Sequence, residues 1–142
     1  MKHYTVILAL LLTLLLTSCG IGGTEAAVTI PSVEELRAQS DKVVVEMGYL
    51  DHQPMRGVLS QVDDVLTTYG DKLNVVRYNL DTPEGEAFTK ARQVTGHTPI
   101  AIFVNGSMEF TLADRKVKFY NFPGDDWQVD DLRTVLDQEI AK

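Results

Sequence analysis

Thiol chemistry needs cysteine, and this 142-residue chain has one, Cys19. Dithiol exchange needs two: a thiolate that attacks and a second thiol, one helical turn away, that resolves the mixed disulfide. Neither that exchange nor an internal disulfide is open to a chain with a single cysteine. The other residues able to do chemistry are sparse. Of the three histidines, His3 lies in the leading segment, which leaves His52 and His97. Met55 follows His52 by three residues, and Glu46 interrupts an apolar run. No glycine-rich phosphate loop stands out, and neither does a Ser/His/Asp order.

Cys19 has a particular setting. A short basic start (Lys2, His3) precedes an apolar stretch from Val6 to Leu16, and Leu16-Thr17-Ser18 leads into the cysteine. That layout is a secretory signal, too short for a stable membrane span. The box Leu16-Thr17-Ser18-Cys19 resembles a bacterial lipoprotein signal, which implies a signal peptide over residues 1–18, a lipid on the Cys19 sulfur, and often a further palmitate-type chain on its nitrogen after cleavage. Each buried methylene contributes about 0.8 kcal/mol, and two chains hold a protein where one does not. The competing reading is an ordinary signal with Cys19 as an incidental thiol. Gly20 follows the cysteine, so by resemblance to Gram-negative lipoproteins the expected address is the periplasmic face of the outer membrane. The formal net charge is −7, and loss of Lys2 with the leader makes it more negative. Nucleic acid and anionic headgroups are therefore poor partners.

Residues 19–31 read as a small, glycine-bearing tether, and residues 32–142 as one domain. Ser32 and Glu35 form a capping box for a helix from Val33 to about Gln39. Val43-Val44-Val45 marks a strand over Lys42 to Met47, buried on both faces. Pro54 opens a helix that repeats Val58, Leu59, Val62, Val65, Leu66 and Tyr69 and ends at Gly70. Leu73 to Leu80 is a second inner strand. Thr82-Pro83 starts a helix carrying Ala87, Phe88, Ala91 and Val94. Ile100 to Val104 is a strand, Asn105-Gly106 is a hairpin turn, Met108 to Leu112 returns antiparallel, and Val117 to Phe122 is an edge strand. A last helix starts near Asp126 and buries Val129, Leu132, Val135, Leu136 and Ile140. Trp127 packs it. Asp63-Asp64, Asp125-Asp126 and Asp130-Asp131 suit solvated faces and first turns.

The order strand, helix, strand, helix, hairpin, helix resembles the thioredoxin fold over roughly Ser32 to Ile140. Lys42-Val43-Val44-Val45-Glu46-Met47 matches its first inner strand, His52-Gln53-Pro54-Met55 falls on the redox tetrapeptide, and Thr98-Pro99 with the strand after it matches the cis-proline segment. The resemblance implies an α/β, three-layer sandwich with a central mixed sheet. It also shows what is lost. His52 and Met55 stand where the two cysteines would be, so no redox enzyme is expected, and no cofactor beyond the lipid.

What the resemblance retains is peptide recognition: a cis bond at Thr98-Pro99, with the backbone of Thr98 taking an extended segment beside His52 and Pro54. Pro99 serving only to shape the turn is the competing reading. The aligned fold would also bring His52, Met55 and His97 together with Asp51 at the rim, an imidazole and thioether set that favours copper. An exposed His52 and a Met55 that merely fills a gap is the other account. Glu46 aligns with the buried thioredoxin acid, and pairs with a base such as Lys42 or Arg56 or else reaches solvent. The expected function is binding of a protein or extended peptide by a membrane-anchored, redox-inactive domain, with a copper accessory role as the alternative. Wild type should incorporate labelled acyl chains and Cys19→Ala should not; equal labelling of the two overturns the lipoprotein reading.

Overall fold

The computed structural model describes residues 27–142; the leader, Cys19 and the first part of the tether lie outside the described residues. The capping box forms in full. Glu35 N–H donates to Ser32 Oγ (3.2 Å) and Ser32 N–H donates to the Glu35 carboxylate (2.7 Å), which fixes the start of α1 (Val33–Ala38) and holds that carboxyl below its usual range. β1 (Val43–Tyr49) runs two residues further than the β-branched core of its sequence implies, and its first six residues are buried. α2 (Gln53–Tyr69) has His52 as N-cap and Pro54 in its first turn, and Gly70 ends it at φ 53. A 3-10 turn, Gly70–Lys72, leads into β2 (Leu73–Asn79). Thr82 caps α3 (Pro83–Ala91), accepting from Gly85 N–H while its hydroxyl donates to Asn79 O.

β1 pairs parallel with β2 and antiparallel with β3 (Ile100–Val104), giving a mixed three-stranded sheet in the order β2-β1-β3. Strand alternation then sends Val43, Val45 and Met47 to one face and Val44, Glu46 and Gly48 to the other. On the first face they join Ile100, Ile102 and Val104 under Val62, Val65 and Leu66 of α2 and Leu132, Val135 and Leu136 of α4 (Val129–Ile140). The Tyr69 hydroxyl ties those helices, lying 2.9 Å from both Arg133 O and Asp137 Oδ1; burial, with the Asp137 charge behind it, pushes this phenol up to about 12. On the second face Phe88 of α3 stacks on Tyr78 (centroids 4.5 Å) and meets Phe103 edge-on (5.8 Å). The chain is thus mixed α/β, with helices on both faces of the sheet.

Three expectations are corrected. The chain turns at Asn105-Gly106 as anticipated, both at positive φ, but β4 (Glu109–Leu112) does not return along β3. Only Val104 and Ser107 bridge there, and β4 pairs instead with β5 (Arg115–Lys118). The strand-like neighbour of β3 is the segment after β5: Ile102 N–H donates to Phe119 O, Asn121 N–H donates to Ile100 O, and Ala101 bridges Tyr120. Burial decides this. β3 is covered throughout, and Phe119 (fully buried) with Tyr120 supplies apolar cover beside it, whereas β4 alternates exposed Glu109 and Thr111 with Phe110 and Leu112. Second, α4 starts at Val129 and not near Asp126, because Gln128 and Asp131 complete a capping box there. Third, the Thr98–Pro99 bond is trans; no described peptide bond is cis.

Two glycines carry opposite expectations. A Cβ on Gly85 would lie 2.0 Å from Asn79 O, whereas one on Gly57 meets nothing within 4 Å. Gly85→Ala should lose about 3 kcal/mol or more, the upper end of overpacking costs, and Gly57→Ala should gain about 0.5–1 kcal/mol from helix propensity, both read from urea unfolding.

Candidate functional site

Two loops meet at one end of the sheet. The β1–β3 register pairs Tyr49 with Ile100, so the next rung falls beyond both strands, and Leu50 N–H donates to Pro99 O at 2.9 Å. This bond sets the residues that open α2, Asp51 to Pro54, beside the segment His97 to Pro99. His52 holds extended backbone (φ −137, ψ 168) and its imidazole makes no cap bond, so His52, Gln53 and Pro54 are all exposed. Asp51 and Arg56 form an open ion pair at 3.6 Å, worth little in solvent.

Met55 takes a different course. It is fully buried and belongs to the cluster under α2 and α4. Of the expected copper set, His52 and His97 are exposed on neighbouring loops while the thioether packs the core. Among the described residues, no three of His, Cys, Asp and Glu converge on a metal position.

The segment before β3 is held from inside. The Thr98 hydroxyl donates to Ile100 O (2.7 Å) and accepts from Asn121 N–H (3.2 Å), and Thr98 is only 4% exposed. The Tyr120 hydroxyl donates to Thr95 O, and Trp127 Nε1–H reaches Tyr120 O and Asn121 O at 3.2 and 3.3 Å. With the bond trans and Thr98 covered, the backbone that was expected to receive a peptide is not offered to solvent. Pro99, half-buried, and His97 are what this segment presents.

Behind these loops lies the molecule's one fully buried carboxylate among the described residues, Glu46. Its partner is neither Lys42 nor Arg56. Arg92, the residue after α3, gives Nε–H to Oε2 (3.0 Å) and an Nη2–H to Oε1 (2.6 Å), and Nη2 also donates to Pro31 O (2.6 Å). The pair is bidentate, which suits a planar guanidinium and a carboxylate. The buried Tyr78 hydroxyl has no partner, and its pKa is raised by burial, then by the Glu46 charge, with Arg92 opposing. Sequence reasoning missed Arg92 because no periodicity links a residue beyond a helix end to a strand position 46 residues earlier; only the need of a buried acid for a base pointed its way.

The arrangement offers the exposed imidazoles of His52 and His97 and the rings of Pro54 and Pro99 on two joined loops, above a buried Glu46–Arg92 pair. No family model matches the chain, and no curated protein matches it.

Removing one member of a buried pair costs about 3–5 kcal/mol because the other charge is stranded, whereas replacing both with apolar residues is often near neutral. Arg92→Met should therefore unfold at much lower urea than wild type, and Glu46→Leu added to Arg92→Met should recover most of the loss. A double variant as unstable as the single would show that the pair itself, and not the uncompensated charge, sets the cost.

Proposed function

We propose that this chain is a lipid-anchored, thioredoxin-like domain that has given up redox chemistry and acts by binding a protein or extended peptide at the periplasmic face of a membrane. The observation that carries this reading is the Leu50–Pro99 hydrogen bond, which joins the two loops expected to form a thioredoxin groove while neither contains a cysteine. The parallel β1–β2 pair, the antiparallel β3 and helices on both faces support the fold comparison.

The binding rim is His52, Pro54, His97 and Pro99. Recognition there works through side chains: two imidazoles that donate and accept, and two proline rings that offer rigid apolar contact. Strand addition to Thr98 plays no part, since its hydroxyl is engaged within the fold and the residue is only 4% exposed. The anchor reading rests on the Cys19 box, and no described helix is long and apolar enough to cross a membrane.

Full-length protein drawn from its own membranes should retain a partner that His52→Glu loses by at least tenfold, on the scale of a residue at the centre of a contact. Gly57→Ala, exposed on α2 away from any contact, should keep it. Retention by folded His52→Glu at the wild-type level overturns this rim as the binding surface.

A further inference from the structure

One edge of the sheet is closed and the other is open. Beyond β3 the segment Phe119–Asn121 completes the ladder, but β2 pairs with β1 alone among the described residues. The direction of its free groups follows from one bond. Leu80 N–H donates to Tyr49 O, and Tyr49 is the register partner of Asn79. In a parallel ladder a residue's N–H and C=O point to the same side, and successive residues alternate. Asn74, Val76 and Tyr78 therefore bond to β1, while Leu73, Val75 and Arg77 aim their N–H and C=O outward.

We propose that this edge pairs with the same edge of a second copy of the chain, antiparallel about a two-fold axis through Val75. That register places Val75 opposite Val75 and Leu73 opposite Arg77, twice, so every outward N–H meets an outward C=O. The strand fits itself in charge as well. The chain as a whole is acidic, yet β2 contains no acid, and its one charge, Arg77, is held by Asp63 of α2 at 2.7 Å and would face leucine and not another cation. A partially covered valine lies on each face, Val75 toward α2 and Val76 toward α3, and continuation of the sheet covers both. Of the devices that keep edges apart, β2 carries no proline and no lysine over its seven residues, and its one charged side chain, Arg77, is paired with Asp63. The same edge in two copies is an isologous contact, which closes at a dimer.

The register supplies the test. Directly opposed, hydrogen-bonded residues stand about 5.5 Å apart at Cα, inside the range of about 4.4–6.8 Å that a disulfide spans. In the full chain carrying Cys19→Ser, so that the introduced thiol is alone, Val75→Cys should form a covalent dimer under mild oxidant at least tenfold faster than Val76→Cys. Leu73→Cys and Arg77→Cys should couple when mixed and not separately. Val75→Pro removes an outward N–H and leaves the β1 ladder intact, so it should sediment as a monomer where the parent dimerises; should it fail to fold, the cysteine pairs still decide. Equal or absent coupling at positions 75 and 76, a monomeric parent, or a foreign strand captured at Val75 without self-coupling each overturns the proposal.

Discussion

A carboxylate with no exposure sits in the middle of a strand covered on both faces, and the fold is arranged around that constraint. Glu46 lies on β1 between Val45 and Met47, which belong to the opposite face and the larger core. A buried ionised group needs both charge and hydrogen bonds returned to it. Arg92 returns both, with two N–H groups on the two oxygens, and the geometry leaves Nη2 able to hold Pro31 O as well. Three stretches distant in sequence are thereby fixed together: the entry to α1, the central strand and the end of α3. The position of α3 then sets where Phe88 lies, and Gly48 is the residue that makes room, since a Cβ there would meet the Phe88 ring at 2.6 Å.

The same constraint reaches the candidate rim. Arg92 stands shortly before the Thr95–Pro99 segment, which is fastened by Tyr120, Asn121 and Leu50, while Trp127 in turn holds the carbonyls of Tyr120 and Asn121. Held at Thr95, Thr98 and Pro99, this segment has little freedom to reshape around a guest. On the proposed reading, binding at His52, Pro54, His97 and Pro99 would be a matter of preformed side-chain display, which lowers the ordering cost of association.

Local signals were legible in the sequence and distant ones were not. The Ser32–Glu35 box, the Thr82-Pro83 helix start and the Asn105-Gly106 turn each depend on residues within a few positions, and each appears where its chemistry places it. The start of α4 was misplaced because glutamine is a poor N-cap by itself; Gln128 works through Asp131, whose carboxylate accepts its backbone N–H. The β4–β5 pairing was missed since hairpin signals fix a turn but not which strand lies beside β3, a choice set by the aromatic cover of Phe119 and Tyr120. At the site, the adjacency of the two loops followed from alignment to a known fold, whereas the trans bond at Pro99 and the inward turn of Met55 follow from packing. An imidazole at an N-cap and a thioether one turn on look like neighbours in sequence, yet helix geometry points one to solvent and the other to the core.

The sheet separates the two proposed contact surfaces. Backbone pairing requires N–H and C=O groups that a partner can reach, and in the segment before β3 Thr98 is only 4% exposed. The free backbone lies on β2, where Leu73, Val75 and Arg77 point away from the fold. Side-chain recognition requires exposed groups on a fixed frame, and those lie at the loops joined by Leu50 and Pro99. A thiol-based groove would combine both at one place, because the attacking sulfur must sit beside the backbone that holds its substrate. Without a thiol in these loops there is no reacting atom to align, so nothing obliges the two to coincide, and the two proposed surfaces lie on different parts of the sheet.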